Sequence, residues 1–241
     1  MTSLSRAGPD LAAGLPLLLA FAFATSRLAG LPAAYLLQAA ALYALLAALV
    51  VRHVPAALPG RGLGPANRIT LGRAALALAI MPLALLPGPL GAPVYWWIIG
   101  VSTAAMVLDG FDGWTARRTG TATPFGARFD VELDAALLMA LSVLVWRSGA
   151  AGPWVLLIGG IRYLFVAAGR VRPALRGALP PRRRRKAIAV VQGVALLVAL
   201  GPIIPPWLAA GGTAGALAPL VWSFAVDVQW LLRHAPDPDA G

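Results

Sequence analysis

The stretch LDGFDGWTARRTGTATPFGARFDVELDA, residues 108–135, holds Asp109, Asp112, Asp130, Glu132 and Asp134, five of the nine acidic residues in a chain of 241. Apolar runs lie on both sides of it, and Arg117, Arg118 and Arg128 lie inside it. One apolar run ends at the first acidic pair and another begins at the second. This is the pattern of two membrane spans joined by a short basic loop, with carboxylates at the point where each span meets the loop.

The rest of the chain extends that reading. It is 59% hydrophobic and 12% charged, whereas about 25% charged residues is usual in a soluble domain. Eight apolar segments are read as spans: roughly 11–29, 33–51, 70–87, 93–112, 131–147, 153–170, 187–204 and 213–232. The expected fold is therefore an all-α polytopic membrane bundle. Its expected division is two additional N-terminal helices over 1–60, a six-span core over 61–234 and a disordered tail over 235–241. A signal-peptide reading of the first segment is weaker, because Pro16 interrupts it and the apolar character continues past it.

The net charge of +11 comes from 20 basic residues, all arginine except Lys186. In so apolar a chain this charge belongs to cytoplasmic loops rather than to nucleic-acid binding. With eight spans, Arg6, the set Arg52/Arg61/Arg68/Arg73, the set Arg117/Arg118/Arg128, the run from Arg170 to Lys186, and Arg233 all fall on one side. Arg27 and Arg147 fall near the other surface, and Arg162 lies inside a span. Both termini and the acidic stretch are thus expected to face the cytoplasm, in a bacterial inner membrane. The absence of cysteine excludes disulfides and thiolate metal sites, and His53 and His234 have no partner at ligand spacing.

On helices, Asp109 and Asp112 share a face, as do Asp130 and Asp134, while Glu132 points elsewhere. A short connection makes their spans antiparallel neighbours, so both pairs can face one point. Four converging carboxylates raise one another's pKa unless opposite charge is supplied. Oxygen-only ligation suits Mg²⁺, Mn²⁺ or Ca²⁺. The spacing alone also allows a plainer reading, in which the acids are salt-bridged to Arg117, Arg118 and Arg128. Gly110, Gly113 and Ala116 leave small residues beside the acids, where a bulky ligand can approach the backbone, and Arg117 suits phosphate.

At these residues the chain resembles the CDP-alcohol phosphotransferase family, whose signature is D-x2-D-G-x2-A-R-x8-G-x3-D-x3-D. Here it reads Asp109-x2-Asp112-Gly113-x2-Ala116-Arg117-x8-Gly126-x3-Asp130-x3-Asp134. The stretch PANRITLGR, 65–73, is similar to the P-N-x-x-T-x-x-R start of the family's first core span, with one residue inserted between Pro65 and Asn67. The resemblance implies that Asp109, Asp112, Asp130 and Asp134 hold two Mg²⁺ or Mn²⁺ ions, with Asp134 also the general base. It implies a CDP pocket lined by Gly113, Ala116, Arg117, Gly126 and Thr70. It further implies a CDP-linked donor such as CDP-diacylglycerol, a polar alcohol or alcohol phosphate as acceptor, release of CMP, and a homodimer.

The acceptor region is similar in part to phosphatidylglycerophosphate synthases. Arg162 and Arg170 keep that family's eight-residue spacing, and Lys186 and Gln192 match the first Lys and the Gln of its G-K-x-K-T-x-x-Q motif. Tyr163, Arg185, Ile188 and Ala189 depart from it. Arg162, Arg170 and Lys186 are accordingly assigned to the acceptor's phosphate, with glycerol 3-phosphate first and inositol phosphate as the alternative. The run 182–185, RRRR, also suits plain attraction to anionic headgroups. Asp227, alone in the last span, is expected to pair with an arginine such as Arg162. Two other classes compete with a phosphotransferase. A membrane prenyltransferase needs a second Asp-rich motif, for which too few acids remain. A cation transporter would place its carboxylates near the bilayer midplane.

Overall fold

A computed structural model describes residues 3–55, 62–86, 88, 90–177, 179–180 and 183–234, except the side chains of 3–6, 117 and 183. Arg61, Arg182, the tail 235–241 and the side chains of Arg6, Arg117 and Arg183 therefore lie outside the described residues. The described elements are helical: α1 (Ser3–Leu28), α2 (Ala34–His53), α3 (Pro65–Ile80), α4 (Ala92–Thr119), α5 (Pro124–Arg147), α6 (Leu156–Val171), α7 (Arg183–Ala199) and α8 (Pro206–Arg233), with short 3₁₀ turns after α3, before α6 and after α6.

The chain is an all-α polytopic membrane protein. Among the described residues six helices, all but α5 and α7, are long and apolar enough to cross a membrane, α3 and α6 together with an adjoining 3₁₀ turn (Pro65–Leu85 and Pro153–Val171). α5 and α7 differ for local reasons. The first half of α5 carries Arg128, Asp130, Glu132 and Asp134, and α7 has 17 residues and opens on Arg183, Arg184, Arg185 and Lys186. Large apolar side chains face outward on the spanning helices, among them Leu37, Leu45, Trp207 and Trp222. That suits a lipid solvent rather than water.

Helix ends follow local chemistry. α3 starts with Pro65 in its first turn after Gly64 at φ +85°, a position where the missing N–H of proline is no loss. α4 ends where Gly120 turns left-handed at φ +63° and donates its N–H to Ala116 O, a common helix stop. α5 begins seven residues before the apolar segment that announces it. Pro124 opens the helix, and Thr123 Oγ1 accepts the Gly126 N–H at 3.0 Å, the bond of an N-capping threonine.

The described helices group into two compact units, Met1–Leu137 and Leu138–Gly241. In the first, α3 packs on α4, α1 and α2. It is the enclosed helix of the set: 72% of its apolar stretch is buried, against 22–28% for the other five candidate spans. Alanines at 74, 75, 77 and 79 line it and let neighbouring backbones come close. Polar ties add to this packing. Tyr35 Oη donates to Ala79 O at 2.6 Å, Tyr43 Oη donates to Leu11 O at 2.7 Å, and Trp97 Nε1 donates to Thr25 Oγ1 at 2.9 Å.

In the second unit α7 packs on α8. Gln192, fully buried, donates Nε2 to Ala216 O at 2.6 Å. Gly159 of α6 lies so close to the Met139 backbone that a Cβ there would collide with it.

Candidate active site

The site is assembled from α3, α4 and α5. Asp109 and Asp112 lie three apart near the C-terminal end of α4, and Asp130 and Asp134 lie four apart in the early turns of α5. Ligand oxygens of Asp109, Asp112 and Asp130 all lie within 4.8 Å of one another. Asp112 is buried, whereas Asp109, Asp130 and Asp134 keep partial exposure. The early start of α5 matters here. Without the turns from Pro124 onward, Asp130 and Asp134 would sit in a loop with no fixed common face.

The centre of the cluster is Arg73 of α3, whose side chain is only 2% exposed. Its Nη1 lies 3.1 Å from Asp109 Oδ1 and 2.6 Å from Asp112 Oδ2, and it also donates to Asp130 Oδ1. Its Nη2 donates to Asp134 Oδ1, and its Nε donates to Ala105 O at 3.1 Å. One guanidinium thus touches all four aspartates that share the predicted faces. Thr70, one turn earlier, donates Oγ1 to Asp112 Oδ2 at 3.0 Å, with Ala66 O at 3.2 Å as the alternative acceptor.

Two sequence readings are sharpened by this arrangement. The salt-bridged alternative names Arg117, Arg118 and Arg128; the Arg117 side chain lies outside the described residues, and among the described side chains Arg73 meets all four aspartates. Arg118 instead lies over the Trp114 ring, 5.0 Å from its centroid. The one-sided distribution of charge places Arg73 with the loop-side basic residues, whereas it is buried inside α3. A charge within an apolar run is a pointer to a functional site. That rule singled out Arg162 and applies equally to Arg73. Asn67, of the stretch PANRITLGR, also takes part. It is buried, donates Nδ2 to Leu63 O at 2.7 Å, and places Oδ1 where a Cβ on Gly126 would collide with it. Gly126 therefore allows α5 to approach α3, whatever else it contacts.

The donor set fits hard divalent cations. The ligands are carboxylate oxygens, the chain has no cysteine, and no histidine joins the cluster. Among the described side chains, one arginine stands against four carboxylates in a partly buried site, a balance that further cations would favour. That a guanidinium is drawn to this point shows which sign of charge the site accommodates.

The remaining predicted site residues are distributed as follows. Gly113 and Ala116 are half-buried on α4, beyond Asp112. Thr70 is buried and bonded to Asp112. Arg162 is half-buried in α6, and Arg170 and Lys186 are exposed on α6 and α7. Asp227 of α8 pairs with arginines, Arg184 Nη2 at 2.9 Å and more loosely Arg185 Nε at 3.8 Å. Arg184 also lies over the Trp222 ring at 4.9 Å. At least two arginines of the RRRR run thus join α7 to α8 as well as adding surface charge.

The family model for CDP-alcohol phosphatidyltransferases matches residues 63–226, from just before α3 into α8. No curated protein and no solved structure matches the chain. The matched region includes every aspartate of the cluster, together with Asn67, Thr70, Arg73 and Gly126. With the four aspartates of its eight-position signature gathered around one buried arginine in a polytopic membrane fold, the chain belongs to the CDP-alcohol phosphatidyltransferase family.

Proposed function

We propose that the protein transfers a phosphatidyl group from CDP-diacylglycerol to the hydroxyl of a polar acceptor and releases CMP, a step of phospholipid synthesis at the cytoplasmic face of a membrane. The observation that carries this reading is the convergence of Asp109, Asp112, Asp130 and Asp134 on a single point. Those four aspartates would hold two Mg²⁺ or Mn²⁺ ions, which when bound neutralise the donor's diphosphate and polarise the phosphorus under attack.

The chain's own groups supply the remainder. Asp134, the more exposed of the two α5 aspartates, accepts the proton of the acceptor hydroxyl as its oxygen bonds to phosphorus. The bond from that phosphorus to the CMP oxygen breaks, and CMP leaves with the electron pair. Gly113, Ala116, Arg117, Gly126 and Thr70 bound the CDP end. Thr70 acts there through Asp112, which it orients. By sequence, Arg162, Arg170 and Lys186 bind the acceptor's phosphate. Glycerol 3-phosphate is the first acceptor and inositol phosphate the second. Family membership supports the transferase class over a prenyltransferase or a cation transporter, and it is also the ground for expecting a homodimer.

The test uses purified protein with CDP-diacylglycerol and Mg²⁺ or Mn²⁺, measuring CMP against a panel of glycerol 3-phosphate, inositol, inositol phosphate and serine. CMP release should require the metal and one acceptor. Asp134→Asn should lower turnover by about 10²–10⁴-fold while Mn²⁺ binding is largely kept. Near-normal turnover in that variant would remove Asp134 from the role of base, and silence across the panel would remove the reading itself.

A further inference from the structure

α1 lies outside the region matched by the family, yet one of its side chains reaches the start of α3. Asp10 Oδ2 accepts the Leu63 N–H at 2.7 Å, and Asp10 Oδ1 accepts from Arg68 Nε at 2.8 Å. The Asp10 side chain is 11% exposed. The backbone is shaped around it: Gly62 has φ +69°, and a Cβ there would collide with Asp10 Oδ2 and come 3.1 Å from Arg68 Nη2. α3 has no side-chain cap at its own N-cap residue, Gly64. A carboxylate delivered from α1 to this end holds the N–H of the residue just before the N-cap and complements the positive end of the helix.

The residue held by Asp10 is itself a link to the site. Leu63 is 2% exposed, and its carbonyl accepts from Asn67 Nδ2 at 2.7 Å. Asn67 then places Oδ1 against Gly126 of α5, one turn before Asp130. One and two turns beyond Asn67 on α3 come Thr70, bonded to Asp112, and Arg73, bonded to all four aspartates. A shift of the first turn of α3 is therefore passed to both halves of the carboxylate cluster.

We propose that Asp10 is a positioning residue for the aspartate site: by holding the Leu63 N–H it fixes the start of α3 and, through Asn67, the approach of α5. Arg68 is 54% exposed, so its ion pair is screened by water and contributes little. The contact that matters is the bond to the Leu63 N–H.

Three variants of the full chain test this: Asp10→Ala, Asp10→Asn and Arg68→Met. Hydrogen–deuterium exchange is read over 63–73, 124–134 and 206–233. Asp10→Ala should speed exchange about tenfold in the first two windows and leave the third unchanged. Asp10→Asn, which keeps an oxygen able to accept the Leu63 N–H, should recover most of the protection, and Arg68→Met should match the parent chain. Unchanged exchange over 124–134 in Asp10→Ala would overturn the proposal. So would an equal rise over 206–233, which marks general loosening, or an Arg68→Met effect as large as that of Asp10→Ala. A second measurement rests on the function proposed above. CMP release by Asp10→Ala should show kcat lowered about tenfold or more, and Asp10→Asn should recover most of that loss, as it does for the exchange. If the parent chain releases no CMP, that reading of function fails and the exchange result still decides the role of Asp10.

Discussion

Arg73 is the residue on which the site turns, because it is the charge that meets four carboxylates in a helix otherwise packed with alanine and leucine. A buried ionic cluster is weak support for stability as a whole, but removing one partner leaves the others uncompensated, at about 3–5 kcal/mol. Arg73→Met should therefore be markedly less stable without metal, and a divalent cation should restore more stability to it than to the parent chain, since ligand binding to the folded state adds to its stability. Thermal unfolding in detergent, with EDTA and then with Mn²⁺, measures both. Equal Mn²⁺ shifts in the two proteins would show that Arg73 and the metal do not share the carboxylates. Arg73→Lys keeps the charge but not the planar fork that serves several oxygens at once, so it should fall between the two. The aspartates themselves were legible in the sequence, since only their spacing was needed. The role of Arg73 was not. Its position in the TLGRAALALAI run was visible, but which carboxylates it meets depends on how α4 and α5 pack on α3, and no local pattern encodes that.

At the level of elements, the order of the helices followed the eight apolar segments, although α5 and α7 are not among the six described helices long and apolar enough to span, and the start of α5 did not follow. Apolar patterning places that start near residue 131, because the charged residues from 128 to 134 interrupt the apolar signal. The helix begins at Pro124 because a capping threonine and a proline in the first turn outweigh the polar faces of the turns that follow. Those early turns carry Gly126, whose lack of a side chain admits Asn67. Gly126→Ala should force α5 and α3 apart, although alanine is the better helix former by about 1 kcal/mol. CMP release should fall about tenfold or more, as small displacements of reacting groups are costly. Gly100→Ala in α4, where a Cβ meets nothing within 4 Å, is the matched control and should leave turnover unchanged. If Gly126→Ala were as active as that control, the contact with Asn67 would not set the site. The pairing of Asp227 with Arg184 and Arg185 was hidden for the same reason as the role of Arg73. It joins residues 43 apart in sequence, and several arginines were available as partners.

For the molecule as a whole, the two N-terminal helices raise the question of why a family core that is matched from residue 63 should have them. In lipid, apolar contact alone gives little drive for helices to associate, so close packing of small residues and interhelical hydrogen bonds carry more of the work. α3 has both, and much of each comes from α1 and α2. Tyr35 Oη satisfies Ala79 O at one end of α3, Asp10 satisfies the Leu63 N–H at the other, and Tyr43 ties α2 to α1 through Leu11 O. The ring of Phe21 stacks on Trp97 of α4 at 5.8 Å, beside the bond from Trp97 to Thr25. Removing residues 1–60 would take away the partners of two backbone groups of this region and uncover the faces of α3 that α1 and α2 now cover. An unsatisfied buried backbone group costs about 1–3 kcal/mol, and two such losses, with the packing, are a large share of a marginal total of about 5–15 kcal/mol. The chain beginning at residue 61 should therefore fail to give a monodisperse peak in mild detergent, and should show no Mn²⁺-dependent rise in unfolding temperature. Tyr35→Phe, which loses one hydrogen bond and keeps the ring, should retain both properties with a modestly lower unfolding temperature. A truncated chain that stayed monodisperse and responded to Mn²⁺ like the full one would show that α3 keeps its place through α4 and α5 alone, and that α1 and α2 serve some purpose other than holding the site together.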